Sequence, residues 1–140
     1  MLSLTGEYAL RALIFLAQNE KRWPVPGKEI AARAGVPAKY LSMILSELVR
    51  TGVLESTRGK SGGFRLVKSS KATPLWDVVA PFEQLQRMRC PFGNQKCSDH
   101  SPCLAHSQWK KIKDVLHEFL QKTSLWDVAV QKKAGGKRAS

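Results

Sequence analysis

Between Lys28 and Arg50 two short amphipathic runs meet at a Gly35-Val36-Pro37 corner, and few folds accommodate that pattern. Lys28 to Ala34 (KEIAARA) reads as a helix stopped by Gly35, since glycine takes the left-handed conformation that ends helices at little cost. Pro37 restarts the chain at a first-turn position, where its missing N–H is not needed. The second run, Ala38 to Arg50, places Tyr40, Leu41, Ile44, Leu45 and Leu48 on one apolar face and stops before Gly52. Lys39, Ser42, Met43, Ser46 and Arg50 are left pointing outward. Such a pair is either a plain helical hairpin in a bundle or a helix-turn-helix, whose second helix enters the DNA major groove.

The next segment decides between them. Val53 to Thr57 and Phe64 to Val67 are strand-like runs on either side of Arg58-Gly59-Lys60-Ser61-Gly62-Gly63. A hairpin with a glycine-rich basic tip directly after a recognition helix is a wing. Its glycines, with Ser61 and Gly62 at the tip, let backbone N–H groups approach phosphates, and Arg58, Lys60 and Arg65 bring positive charge. Lys28, opening the first helix of the pair, joins the expected DNA-facing set, and Tyr40 is expected to reach a phosphate. A nucleotide-binding loop is a poor match, because that motif needs a longer glycine spacing and a following helix, and here a strand follows. The net charge of +12 agrees with a polyanionic partner, and the absence of a long apolar run favours nucleic acid over membrane.

All three cysteines, Cys90, Cys97 and Cys103, fall in one stretch, CPFGNQKCSDHSPCLAH, which ends at His106. Pro91, Gly93, Asn94, Ser98, Asp99 and Pro102 favour turns there, so the stretch is expected to be a loop whose side chains converge. Thiolates with an imidazole suit an iron–sulfur cluster or a soft metal. Structural zinc is the alternative, although closed zinc sites usually pair their cysteines at shorter gaps. An odd number of cysteines and an N-terminal stretch broken by Glu7 and Arg11 argue against a disulfide framework and a signal peptide, placing the protein in the cytoplasm. With no C-x-x-C pair and no cofactor fingerprint, an enzyme is not expected.

Elsewhere, Leu4, Tyr8, Ala12, Phe15 and Leu16, adjoined by Leu13, predict a helix over 3–18. Asn19 to Gly27 is a connector. Thr73 is expected to cap a helix that begins at Pro74 and ends or kinks at Pro81. Trp109, Ile112, Leu116 and Phe119, joined by Val115 and Leu120, form a seam long enough to pack against a second copy, so a homodimer is expected. TSLWDV at 123–128 nearly copies TPLWDV at 73–78, which reads as repeated helix-start chemistry and not as duplication. The expected organisation is a winged helix-turn-helix head over 1–80, a cysteine-rich loop over 81–106, a pairing helix and terminal helix over 107–130, and a disordered basic tail over 131–140.

In this order, GEYALRAL (Gly6 to Leu13), KEIA (Lys28 to Ala31), VPAKYLSMILSELVRTGVLES (Val36 to Ser56), RGKSGGFRL (Arg58 to Leu66), TPLWDVV and the three-cysteine stretch closely resemble one family. It is the winged-helix regulators typified by the iron–sulfur cluster regulator IscR and the nitric-oxide-sensing repressor NsrR. The resemblance covers about the first 128 residues. It implies a mainly α-helical dimer that binds palindromic promoter DNA, typically as a repressor, and responds to iron–sulfur status, redox stress or nitric oxide. By the same resemblance Cys90, Cys97 and Cys103 are the cluster thiolates. The fourth ligand is either His106 or Glu7, the latter donated by the other subunit, and the cluster is 2Fe–2S or 4Fe–4S.

Overall fold

The computed structural model describes residues 2–83 and 106–134. Helix α1 (Leu4–Gln18) is capped by Ser3, whose Oγ accepts the Gly6 N–H at 3.0 Å. It packs against four other helices, α2 (Gly27–Ala34), α3 (Ala38–Arg50), α4 (Leu75–Val79) and α6 (Leu125–Ala134). Of the face that the spacing suggests, Ala12, Leu13 and Leu16 are buried, together with Gly6 and Ala9, whereas Tyr8 and Phe15 are only partly covered. Leu4 is 59% exposed. The physical reason is close approach: where several helices converge on one, the small side chains face the contacts and the larger ones are displaced to the margins.

The corner after α2 forms as expected. Gly35 has φ 69°, and both its N–H and that of Val36 return to the Ala31 carbonyl. Pro37 stands one position earlier than expected, as the N-cap residue of α3. Leu41, Ile44, Leu45 and Leu48 are buried in the common core, but Tyr40, counted from its spacing as part of the apolar face, is 53% exposed.

Strands β1 (Leu54–Thr57) and β2 (Gly63–Leu66) pair antiparallel in the register Leu54↔Leu66 to Thr57↔Gly63. The connector supplies a third, one-residue rung: Val25 donates to the Phe64 carbonyl at 3.0 Å and accepts the Phe64 N–H at 2.9 Å. That rung ties the hairpin to the start of α2. Gly63, at φ 155°, allows it, because a Cβ there would collide with the Val25 carbonyl.

Thr73 does not cap α4. Its Oγ1 instead donates to the Ser69 carbonyl at 2.9 Å, and Pro74 occupies the cap position without a side-chain bond. The second copy of the motif is capped: Ser124 Oγ accepts the Asp127 N–H at 3.2 Å while Asp127 Oδ2 accepts the Ser124 N–H at 2.9 Å, a reciprocal box. The two copies meet each other. Leu75 donates to the Thr123 carbonyl at 2.8 Å and Leu125 to the Thr73 carbonyl at 2.9 Å, so α4 and α6 start from one short antiparallel bridge centred on Pro74 and Ser124.

Helix α5 (His106–Lys122) packs on α4. Its expected seam divides. Leu120 is buried and Trp109 and Leu116 are half-buried, whereas Ile112, Val115 and Phe119 are exposed on one face. The expected tail boundary at 131 falls inside α6, which continues to Ala134. The chain is thus a winged helix with an added C-terminal helical portion.

The glycine at 63 gives a direct test of the third rung. Gly63→Ala places a methyl group against the Val25 carbonyl and forces a φ that alanine avoids, so it should destabilise the fold by about 2–4 kcal/mol. Gly52→Ala, where φ is 85° but the space around the glycine is open, should cost only about 1 kcal/mol. Urea denaturation of both variants checks the order.

Candidate nucleic-acid interface and cluster segment

The outward side of α3 carries Lys39, Ser42, Met43, Ser46 and Arg50, all exposed, with Tyr40 beside them in the first turn. Helical spacing brings 39, 42, 43, 46 and 50 onto one face because the opposite face is held in the core by Leu41, Ile44, Leu45 and Leu48. The face mixes hydroxyls, which bond to base edges, with a thioether that suits a thymine methyl, and places cations at both ends. Lys28 is exposed at the start of α2.

Arg50 is not a free cation. Its Nε donates to Glu47 Oε2 at 3.0 Å and its Nη2 to Glu47 Oε1, a two-point pair on the surface of α3. The hydrogen bond from Arg50 holds the Glu47 carboxyl below the usual carboxylate range and pushes the guanidinium up. With a lowered folded pKa, the pair is fully charged at neutral pH and opens only as pH falls through that lowered value. Behind it, an open cleft of about 760 Å³ runs between the end of α3 and α4, lined by Arg50, Lys68, Trp76, Asp77 and Glu83 among others.

At the wing, Gly62 N–H closes a four-residue turn onto the Gly59 carbonyl at 3.0 Å, with Gly59 at φ 109°. Gly62 is buried under its own turn, where a Cβ would meet the Thr57 carbonyl. Arg58, Lys60 and Ser61 are exposed at the tip, and neither Arg58 nor Lys60 has an ion-pair partner among the described residues. Arg65 differs: its Nη2 donates to Glu55 Oε2 at 2.8 Å across the strand pair, so it contributes less positive field than the composition suggests.

Cys90, Cys97 and Cys103 lie outside the described residues. Among the described residues no three His, Cys, Asp or Glu side chains converge as a metal site. Glu7 is exposed in the first turn of α1, and His106 opens α5. A residue that sequence reasoning missed links these parts. Glu83 Oε1 accepts both the Ser3 N–H at 2.6 Å and the Ser3 hydroxyl at 2.7 Å, and a Cβ on Gly6 would occupy the position of that carboxylate. The chain therefore leaves for the cysteine segment from a point fixed to the N-terminus of α1, one turn from Glu7. Gly6 was the available signal, since a glycine in a first helical turn often marks a close neighbour.

The Rrf2 family model, described as an iron-dependent transcriptional regulator, matches residues 2–131. The chain belongs to the Rrf2 family. It is 31% identical to the HTH-type transcriptional regulator IscR of Escherichia coli over 128 residues, 91% of this chain and 78% of that relative. Among solved structures, T. potens IscR superposes with a TM-score of 0.76 at 26% identity, covering 100% of this chain and 92% of the other. CymR, the global cysteine regulator of B. subtilis, also reaches 0.76, at 27% identity over 94% and 97% of the two chains. This Rrf2 protein is a transcriptional regulator of the IscR/CymR type with a winged-helix head, and the family consists of regulators and not of enzymes. Among the described residues no helix is long and apolar enough to cross a membrane.

The Glu47–Arg50 pair yields a prediction of its own. Glu47→Gln removes a negative charge from the outward side of α3 and releases Arg50, so binding to mixed-sequence duplex DNA should tighten by about threefold at low salt, with a steeper salt dependence. Fluorescence anisotropy titrations at several salt concentrations measure both.

Proposed function

We propose that this protein is a homodimeric repressor whose affinity for promoter DNA is set by an iron–sulfur cluster. The observation that carries the DNA half is the exposed polar face of α3 beside a wing whose tip cations have no ion-pair partner among the described residues. Lys39, Ser42, Met43, Ser46 and Arg50 read the major groove, with Lys28 and Tyr40 on flanking phosphates. Arg58, Lys60 and the backbone of Ser61 and Gly62 follow the phosphates or the minor groove. The second protomer packs along Ile112 and Phe119, with Trp109 and Leu116 lining the edge of the same seam.

Cys90, Cys97 and Cys103 hold the cluster, 2Fe–2S or 4Fe–4S, and Glu7 of the partner is the fourth ligand in preference to His106. The donor set suits such a cluster: three thiolates with one oxygen or nitrogen ligand. The exposure of Glu7 and the anchoring of Glu83 one turn away support its selection. When bound, the cluster supplies a centre that oxidants or nitric oxide attack. The residues of the chain convert its state into a change in how the two heads match half-sites about 34 Å apart. The protein works in the cytoplasm, where its thiols stay reduced.

A second reading has its own support. The similarity to CymR, a cysteine regulator, favours a winged-helix regulator that answers to cysteine status through thiols, or holds zinc, without a cluster. Anaerobic purification, with a visible spectrum and iron, sulfide and zinc analysis, separates the two. Iron and acid-labile sulfide in equal amounts, lost together in Cys90→Ala, Cys97→Ala or Cys103→Ala, support the first reading. A colourless protein that retains DNA affinity supports the second. Glu7→Ala should then shift the spectrum while His106→Ala leaves it unchanged.

The dimer has a cleaner probe than the whole seam, because Leu116 also serves the protomer's own core. Ile112→Glu buries an uncompensated carboxylate only if a second copy covers it, so sedimentation should show a monomer with an unchanged circular dichroism spectrum. An unaltered sedimentation coefficient would count against the dimer.

A further inference from the structure

Beside the first turn of α3 stands a cluster that the helix-turn-helix and the wing do not account for. Arg11 of α1 lies with its guanidinium carbon 5.6 Å from the centre of the Tyr8 ring, within cation–π range. The Tyr8 ring is in turn 6.3 Å from that of Tyr40, tilted by 30°, in the first turn of α3. Arg11 is exposed and has no ion pair among the described residues, whereas Arg22, Arg50 and Arg65 each hold a carboxylate. Tyr40 is 53% exposed although its spacing would allow it to turn inward.

We propose that Arg11, aligned by the Tyr8 and Tyr40 rings, is a phosphate-binding residue that extends the DNA interface from α3 onto α1. The inference rests on the DNA-binding reading above. A helix inserted in the major groove brings the strand backbone past its N-terminal turn, where the Tyr40 hydroxyl and an arginine one ring further out meet successive phosphate oxygens. A planar guanidinium suits a phosphate because it donates two parallel hydrogen bonds while its face remains against an aromatic ring. The stack limits the conformations Arg11 explores before binding, so less freedom is lost when the contact forms. The outward face of α3 explains none of this, since Arg11 and Tyr8 belong to a helix that is otherwise the centre of the core.

The test compares full-length wild type, Arg11→Ala, Arg11→Lys, Tyr8→Leu and Lys60→Ala on a mixed-sequence duplex of about three helical turns, from about 50 to 200 mM salt. A lost phosphate contact predicts that Arg11→Ala binds about tenfold more weakly at the lowest salt, with the logarithmic salt slope reduced by about 0.9. Arg11→Lys should keep the slope, because it keeps the charge. Tyr8→Leu should lose part of the affinity with the slope nearly intact, and thermal melts establish that each variant is folded. Arg11→Ala with wild-type affinity and slope, while Lys60→Ala is impaired, overturns this inference and leaves the DNA-binding reading standing. Weaker binding with an unchanged slope also overturns it, since Arg11 would then act only by supporting α3. A wild type that binds no duplex at any salt overturns both.

Discussion

Burial of α1 is the constraint on which the rest of the structure depends. Ala9, Ala12, Leu13 and Leu16 are wholly buried, and the helix that carries them touches α2, α3 and α4 of the reading head and α6 of the C-terminal portion. A helix covered from several sides needs small residues where neighbours come nearest, and Gly6, Ala9 and Ala12 supply them at near-helical intervals. The same helix is anchored at both ends by polar bonds. Ser3 holds Glu83 at one, and at the other Gln18 Nε2 donates to the Ala129 carbonyl at 3.3 Å while Trp23 Nε1 donates to the Leu16 carbonyl at 2.8 Å. Large side chains in its close-contact strip would separate the head from the C-terminal helices, because no other element in the described chain contacts both so extensively.

Much of the head was legible because its signals are local. Gly35 and Pro37 mark a corner by backbone chemistry alone, and the outward residues of α3 follow from the position of four buried aliphatics. The wing was legible for the same reason, since glycines at 59, 62 and 63 have conformations or contacts that other residues resist. Periodicity failed where burial depends on distant partners. It counted Leu4 and Tyr40 as core because they fall on apolar spacings, yet one sits at a helix margin and the other leaves the core to meet Tyr8. Nor could spacing divide the residues of α5 between the protomer's own core and its free face, since Leu116 and Ile112 look alike until α4 is in place.

Charge was legible in total but not in distribution. The excess of +12 indicates a polyanion, yet whether a given arginine is available depends on the carboxylates near it in space. Arg65 meets Glu55 through strand register and Arg50 meets Glu47 through helical spacing, so both are partly neutralised where they stand. Arg58, Lys60 and Arg11 have no such partner among the described residues. Surface pairs of this kind add little stability, so their main effect here is on the field that a phosphate backbone meets.

The repeated TPLWDV and TSLWDV segments show how a short copy can act in three dimensions. Each begins a helix, and the two beginnings exchange backbone hydrogen bonds, Leu75 with Thr123 and Leu125 with Thr73. Because Thr123 directly follows α5 and Thr73 precedes the Pro74 cap of α4, this exchange fixes the end of α5 against the head through backbone atoms. The face bearing Ile112, Val115 and Phe119 is thereby presented at a set angle to α3. On the proposed dimer, that angle would set how the two heads meet half-sites about 34 Å apart. Trp76 strengthens the same junction by stacking edge-on to His117 of α5 with ring centres 4.5 Å apart. The motif that looked like repeated capping chemistry is therefore the joint through which the orientation of the C-terminal helices reaches the reading head.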